Sequence, residues 1–575
     1  MRLTVAGVAP GPLDLRIAFE GREIACSASD SVASALTAAG EVSCRETRHG
    51  DRRGVFCGMG VCQECLVEID GLPGRRACTT LVRNGMVVRR QPARPDAAAA
   101  PAITSSPLVE REVTPDVLVV GGGPAGMAAA VAAARAGAQV TLVDERAKLG
   151  GQYYKQPAAE PTRVEPERLD RQFRRGRELA DAVRTAGVEV LAGAEIWSAF
   201  APDDLRAVDE ATRWRLRPQR LVLATGAYER GWAIPGWTLP GVLTTGAAQS
   251  LLRAHQVAPG RRVLVSGNGP LNMQLAAELV RAGAEVVALA ELARITSPRR
   301  AAALARMAAS APDLVRDGIR YRAALTRARV PVLTGAAVVA CEGDGRLRSA
   351  TVARIDDNGA AVVGSERTFE ADAVCLGFGF APARELALAL GVPHDLDARL
   401  GIAVPRRDDA GGTPVKHVWI AGDAAGVGGG RVAQAAGTLA GAAAARSLGH
   451  APDPAVVAAA RRSRDRAAAF QRALWTVFDA PTVVDELATP QTPMCRCESV
   501  TRAQLEPLLA EDDVGHIGAL KRATRAGMGG CQGRYCATVL AQLAARRSGR
   551  RLDERSGFAP AAPAKPVRIG DLLGD

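Results

Sequence analysis

Residues 116–126 read Asp116-Val-Leu-Val-Val120-Gly121-Gly-Gly123-Pro124-Ala125-Gly126, and an alanine-rich run follows from Met127. Four apolar residues make a buried strand. The glycines then make a tight turn, and the alanines make a helix. In G-x-G-x-x-G the first glycine forms the turn and the second lets backbone approach a pyrophosphate. The third lets helix and strand pack closely, and the helix N-terminus attracts the phosphates. The next apolar strand, Val140–Val143, runs into Asp144 and Glu145. An acid there binds ribose hydroxyls, and Asp144 stands directly after the strand. The glycine motif alone is weak, but its place between a strand and a helix with an acid following makes it specific. The fold class expected is α/β, with Rossmann-like dinucleotide binding.

Three further segments belong to the same site. Gly150-Gly151-Gln152 forms a turn able to approach an isoalloxazine ring. Leu221-Val-Leu-Ala-Thr225-Gly226 is a strand ending in a glycine turn. Val418-Trp-Ile-Ala-Gly422-Asp423 is a strand ending in an acid, placed to take a ribityl hydroxyl, with a helix N-terminus beyond for phosphate. Gly121, Gly123, Pro124, Ala125, Gly126, Asp144, Gly151, Gln152, Thr225, Gly226, Gly422 and Asp423 are therefore read as the FAD site.

The pattern recurs at Val263-Leu-Val-Ser-Gly267-Asn-Gly269-Pro-Leu-Asn272, where Asn272 replaces the third glycine. Glu291 ends the following strand and is placed for a ribose 2′-hydroxyl, which favours NAD over NADP. Gly267, Gly269 and Glu291 mark a second nucleotide site whose occupant, NAD, ATP or none, the sequence leaves open.

The chain has 575 residues, about four folding units at roughly 150 residues each. Apolar residues make up 47% and charged residues 23%, which excludes a disordered chain. The net charge of +12 does not indicate nucleic-acid binding. Only five of the 73 basic residues are lysine, and the arginines are dispersed without a basic tail or aromatic-interleaved stripe. No signal-like segment or membrane span is read, so the expected location is the cytoplasm, or the inner face of the membrane as a peripheral protein.

Twelve cysteines are too few, and too clustered, for a disulfide scaffold. Cys57, Cys62, Cys65 and Cys78 have the C-x4-C-x2-C…C spacing of a plant-type [2Fe–2S] site, with Gly58 and Gly60 freeing backbone donors for the sulfurs. Zinc sites more often carry paired C-x2-C knuckles. Cys495, Cys497, Cys531 and Cys536 form a second set, for which spacing alone allows zinc or [2Fe–2S]. Cys26, Cys44, Cys341 and Cys375 read as buried lone thiols. No C-x-x-C lies in the nucleotide-binding region, which argues against a disulfide reductase. The six histidines show no catalytic spacing, so no catalytic acid or base is assigned.

The resulting organisation is a ferredoxin domain over 1–90, with a hairpin Leu13–Phe19/Arg22–Cys26 and a short helix capped by Asp30 or Ser31. A linker over 91–115 follows, then a first FAD-binding part over 116–240 and an inserted nucleotide domain over 241–366. The second FAD-binding part covers 367–450 and a helical connector 451–484. A cluster domain with two helical stretches covers 485–556, and a flexible tail 557–575.

Two segments carry a family resemblance: Ala224-Thr-Gly-Ala-Tyr-Glu-Arg230 and Pro235-Gly-Trp-Thr-Leu-Pro-Gly-Val-Leu-Thr-Thr-Gly-Ala-Ala-Gln249. They resemble the α subunits of bacterial heteromeric opine and amino-acid dehydrogenases. That group includes octopine and nopaline oxidases, proline and hydroxyproline dehydrogenases and hydrogen cyanide synthase, with sarcosine oxidase α more distant. Met494–Thr501 and Thr524–Cys536 are similar to the bacterioferritin-associated-ferredoxin-like domain of these subunits, which moves the second cysteine set toward [2Fe–2S]. The last pair is spaced x4, where the stand-alone ferredoxin has x2. Arg53–Cys65 resembles their small [2Fe–2S] subunit, fused here to the α chain. The resemblance implies a flavoprotein disulfide-reductase-like core between a β-grasp ferredoxin domain and a small helical cluster domain. It also implies a D-amino-acid-oxidase-like β subunit that oxidises the substrate C–N bond, an FMN at the interface between subunits being left open. Electrons then pass through FAD and the clusters to the respiratory chain or a small carrier. The alternative readings are a self-sufficient NAD(P)H-dependent acceptor reductase and a non-enzymatic iron-handling module.

Overall fold

A computed structural model describes residues 1–96, 108–295, 300–397, 401–510, 517–549, 551–553, 556–559 and 562–572. Its centre is a five-stranded parallel sheet in the order Glu189–Ala192, Val140–Asp144, Val117–Val120, Arg220–Leu223, Val418–Ile420. Val117–Val120 is buried throughout, as a strand covered on both faces must be. Helices Pro124–Arg135 and Gly430–Arg446 cover it, and Gly437 and Gly441 let them touch. A Cβ on either would stand 2.0 Å from the carbonyl of Ala125 or Ala129. The sheet thus brings the three sequence-distant pieces of the first site side by side.

The second parallel sheet has the order Val242–Thr244, Ala373–Gly377, Arg262–Gly267, Glu285–Glu291, Val332–Thr334. Ala373–Gly377 is buried along its whole length between two neighbours of this sheet. The inserted domain therefore extends to Gly377, and the boundary expected after residue 366 moves. Chain belonging to the first domain resumes at Phe380–Pro382, which pairs with Ala227–Glu229.

The N-terminal cluster module is a β-grasp sheet ordered Arg22–Cys26, Leu15–Phe19, Met86–Arg90, Leu66–Ile69, Leu72–Arg76. Ser31 caps its helix Val32–Ala38 by accepting the Ser34 amide at 3.1 Å. The first residues join this module to the next, Arg2 binding Asp30 beside the helix at 2.5 Å. The Leu3 amide donates to the Gln256 carbonyl at 2.7 Å, and its side chain joins the core of the second nucleotide domain. Burying such a side chain contributes ~1.5–3 kcal/mol to that contact.

Other expectations change too. Within the 91–115 linker, residues 97–107 lie outside the described residues, but Val109–Val113 is a strand parallel to Thr212–Leu216. Among the described residues the C-terminal module has three helices, Arg502–Leu509, Ile517–Thr524 and Ala537–Ser548, where two are expected. Among the described residues of the tail expected to be flexible, Lys565 forms an ion pair with Glu145 and the Ala564 amide donates to the Trp197 carbonyl at 2.7 Å, so this part is held. Among the described residues no helix is long and apolar enough to cross a membrane.

Candidate functional site

The first glycine loop builds its cradle by steric exclusion. Gly121 has φ +105°, and a Cβ on Gly126 would stand 1.7 Å from the Gly121 carbonyl. Gly151, at φ +60°, leaves 2.8 Å between its would-be Cβ and the Gly123 Cα. Asp144 accepts hydrogen bonds from the amides of Gly122 and, at 2.8 Å, Arg146. Burial, reinforced by neighbouring Glu145, pushes its carboxyl above the ordinary range, and the two amides oppose that shift. Asp423 accepts from Gly428 at 3.0 Å and Gly429 at 3.1 Å. Burial likewise raises its pKa against those bonds.

Gly121, Gly123, Pro124, Ala125, Asp144, Gly151, Gln152, Thr225, Gly226, Gly422 and Asp423 all line one cavity of about 1770 Å³. Gly126 lies behind it as the spacer between strand and helix. Sites for one small ligand are typically ~300–1,000 Å³, so the space accommodates an extended dinucleotide. A glycine cradle, two buried acids and a helix N-terminus fit an FAD.

The same cavity is walled by Cys57, Met59 and Val61 of the first cysteine loop. That loop presses on helix Thr245–His255, where a Cβ on Gly58 would meet the Ala247 Cα at 2.9 Å. The donors aimed at its sulfurs are the amides of Met59 to Cys57 and Glu64 to Cys62, each at 3.5 Å. Burial raises the Cys57 thiol, but hydrogen bonds from Cys62 and the loop amides outweigh it and bring the pKa to about 6. Burial and the same hydrogen bond push the Cys62 thiol up, so the two sulfurs share a proton. Cys57 pairs with Cys62, and Cys65 with Cys78.

In the second set the sulfurs of Cys495 and Cys497 are 3.9 Å apart and those of Cys497 and Cys531 3.7 Å, and Cys536 bonds Cys495. The Gly527 amide reaches Cys495 at 3.5 Å, and Gly529 leaves space a Cβ would lose to the Cys497 sulfur. Among the described residues no three His, Cys, Asp or Glu side chains converge on a single-ion position. The first set falls into two thiol pairs, which suits a binuclear cluster in which each iron takes two, whereas the second set is one continuous run of four.

The two cysteine loops abut. Arg496, between Cys495 and Cys497, donates to Glu64 at 2.9 Å and lies 4.1 Å over the Phe56 ring. Arg45 also binds Glu64, at 2.5 Å, and the Arg53 guanidinium is 3.6 Å away. These three guanidinium groups hold the Glu64 carboxyl below its ordinary range although burial pushes the other way. Phe56 packs edge-on against Trp237 and Tyr535 between the loops.

No sequence signal marks this junction. Two buried groups beside the flavin cradle were also missed by sequence reasoning. Lys155 binds Gln152 at 2.7 Å and Ser250 at 3.0 Å, and burial lowers its pKa strongly. Glu229 accepts from the Gly246 amide at 2.8 Å and is pushed by burial up to about 7. One signal was available for Lys155: it is one of only five lysines and lies four residues past Gly151.

The second glycine loop differs. Asn272 is buried, donates to the Gly377 carbonyl at 2.9 Å and accepts from the Thr245 hydroxyl at 2.8 Å. Glu291 is 2% exposed, accepts from Gly269 at 3.2 Å and Ala293 at 3.0 Å, and is raised by burial to about 8. Asn268 donates to the Phe478 carbonyl at 3.0 Å, at the end of helix Pro454–Val477. Gly269 reaches the cavity wall, whereas Gly267 and Glu291 do not.

Comparison with known proteins follows this division. Residues 115–447 match the pyridine nucleotide-disulphide oxidoreductase family. Residues 14–93 match a 2Fe-2S iron-sulfur cluster binding domain and 493–546 a BFD-like [2Fe-2S] binding domain. The A subunit of opine oxidase from Agrobacterium tumefaciens (strain Ach5) is 34% identical over 484 residues, covering 80% of this chain and 91% of that protein. The chain belongs to the opine oxidase A-subunit family. Hydrogen cyanide synthase subunit HcnB of Pseudomonas aeruginosa, at 33% identity over 78% of this chain and 96% of its own length, is a further relative. The crystal structure of L-proline dehydrogenase from P. horikoshii shares the fold, with a TM-score of 0.68, 20% identity and 97% of each chain covered. This A-type subunit is an electron-transferring oxidoreductase with an FAD-type domain between two [2Fe–2S] domains.

Proposed function

We propose that this A-type subunit receives electrons from a D-amino-acid-oxidase-like partner that oxidises the C–N bond of an opine, D-amino acid or imino acid. The carrying observation is that Cys57 forms part of the wall of the FAD cradle, while its loop abuts the second cysteine loop through Glu64 and Arg496. A bound flavin handles electrons singly or in pairs and a [2Fe–2S] cluster handles them singly, so a chain holding both converts pairs into single electrons. The chain's own residues arrange this. Asp144 and Asp423 fix the ends of the cradle. The amides of Met59, Glu64 and Gly527 bond the ligating sulfurs and tune their potential. The Phe56–Trp237–Tyr535 wedge keeps water from between the loops, each ring being at most 5% exposed.

The self-sufficient NAD(P)H reductase needs the second glycine loop. There Glu291, unlike Asp144, does not line the cavity, and Asn272 fills the position of the third glycine, so the acid that would read the ribose of a nicotinamide nucleotide does not face a ligand. The test is to purify the chain alone and co-expressed with a D-amino-acid-oxidase-like flavoprotein subunit from the same genome, and to assay dye reduction by opines, D-amino acids and imino acids. Turnover is expected from the pair only. Full turnover by this chain alone overturns the proposal.

A further inference from the structure

The C-terminal segment crosses from the second cluster module to the flavin site. Phe558 covers Gly527 and Gly533, where any Cβ would collide with its ring, and Lys521 stands 5.2 Å over the same ring. Ala564 is 6% exposed, and its amide donates to the Trp197 carbonyl at 2.7 Å. Its carbonyl accepts from Arg534, in the Cys531–Cys536 loop, at 2.6 Å. Lys565 forms an ion pair with Glu145 and stands 3.7 Å from Glu195, which Arg76 of the first cluster module also binds at 2.7 Å.

These contacts lie at a defined end of the cradle. Ala564 and Lys565 line the cavity beside Val143, Asp144, Arg146 and Ile196. Asp144, at the end of its strand, marks the ribose of the adenosine half in this type of fold. Without Lys565, Glu145 would place a second carboxylate next to Asp144, close to the diphosphate of a ligand. The ammonium pairs with it: burial opposes ionisation, but Lys565, together with Arg146 and Arg76, brings the Glu145 pKa to about 2. Asp144 and Glu145 both line the cavity, and the charge of Glu145 is paired with the tail.

We propose that Ala564 and Lys565 form a strap over the adenosine half of the flavin site, making the chain's last segment a determinant of dinucleotide over mononucleotide binding. The inference rests on reading the cavity as the FAD site. FMN lacks the adenosine, so a strap acting there should leave FMN binding alone.

The test uses the whole chain, a chain ended after Ala559 that keeps Phe558, and full-length Lys565→Ala and Lys565→Arg. Each is stripped of flavin and titrated with FAD and with FMN, and cluster absorbance is recorded as the folding control. The shortened chain should bind FAD about 10-fold more weakly or worse, roughly 1.4 kcal/mol. Its FMN affinity and cluster absorbance should be unchanged. Lys565→Ala should follow it in part, and Lys565→Arg should stay near the full chain. Unchanged FAD affinity in the shortened chain overturns the strap, as does an equal loss of FAD and FMN affinity. A full chain that binds neither flavin overturns the flavin reading and the strap with it.

Discussion

The two glycine loops of this chain share a pattern and differ in what their polar groups face. In both, a buried strand enters the loop, a helix leaves it, and an acid on the next strand accepts two backbone amides. In the first, Gly126 leaves helix and strand in contact, and Asp144 lies on the cavity wall. In the second, Asn272 fills the matching position and ties the loop to Gly377 and Thr245. Glu291 is sealed behind it, and Phe478 takes the Asn268 amide group. A dinucleotide motif therefore marks a fold reliably and a ligand only conditionally. Occupancy depends on whether the acid beyond the loop lies on the cavity wall, as Asp144 does, or is sealed from it, as Glu291 is.

Substitutions at matching positions break the comparison most sharply. Gly126→Ala forces a methyl group onto the Gly121 carbonyl, so the purified chain should carry no flavin. Asn272→Ala should leave flavin content unchanged and lower unfolding stability by about 1–3 kcal/mol, the cost of leaving buried partners unbonded. Flavin absorbance and denaturant titration read the two outcomes. Next in size is the pair of acids. Asp144→Asn should weaken FAD binding roughly 10- to 100-fold, since a hydrogen bond to a charged group is worth about 1.5–3 kcal/mol. Glu291→Gln should not change it.

The smallest effect is in pH. The Glu291 pKa is raised from the ordinary carboxylate range to about 8, so its protonated form favours the fold. Its contribution is complete below the unfolded-state pKa and is lost as pH rises through about 8. The full chain should therefore lose Tm between about pH 5 and about pH 9 more steeply than Glu291→Gln. Equal slopes would mean that Glu291 is accessible and ionised, reopening the second loop to a ribose.

Local constraints made much of this legible from sequence. A turn that only glycine can make and a cysteine spacing that must wrap a cluster are written within a few residues. The pieces of the first site are far apart, but each carries its own strand-and-turn signature. Contacts between distant residues left no such mark. Glu64 meets Arg496 across 432 positions, and Lys565 meets Glu145 across 420. The alanine- and proline-rich tail looked unstructured because it is anchored by one lysine and the backbone of Ala564, which composition does not reveal. The end of the inserted domain was placed before Ala373–Gly377 because an apolar strand does not say which of two neighbouring parallel sheets it joins.

The most direct measurement mixes the purified chain anaerobically with NADH or NADPH, and then, together with the proposed flavoprotein partner, with an opine or amino acid. Flavin absorbance and the cluster EPR signal are followed together. Nicotinamide nucleotides are predicted to leave both unchanged, while substrate with the partner bleaches the flavin and brings up the reduced-cluster signal. Rapid bleaching by NADH in the chain alone would contradict electron entry from a partner.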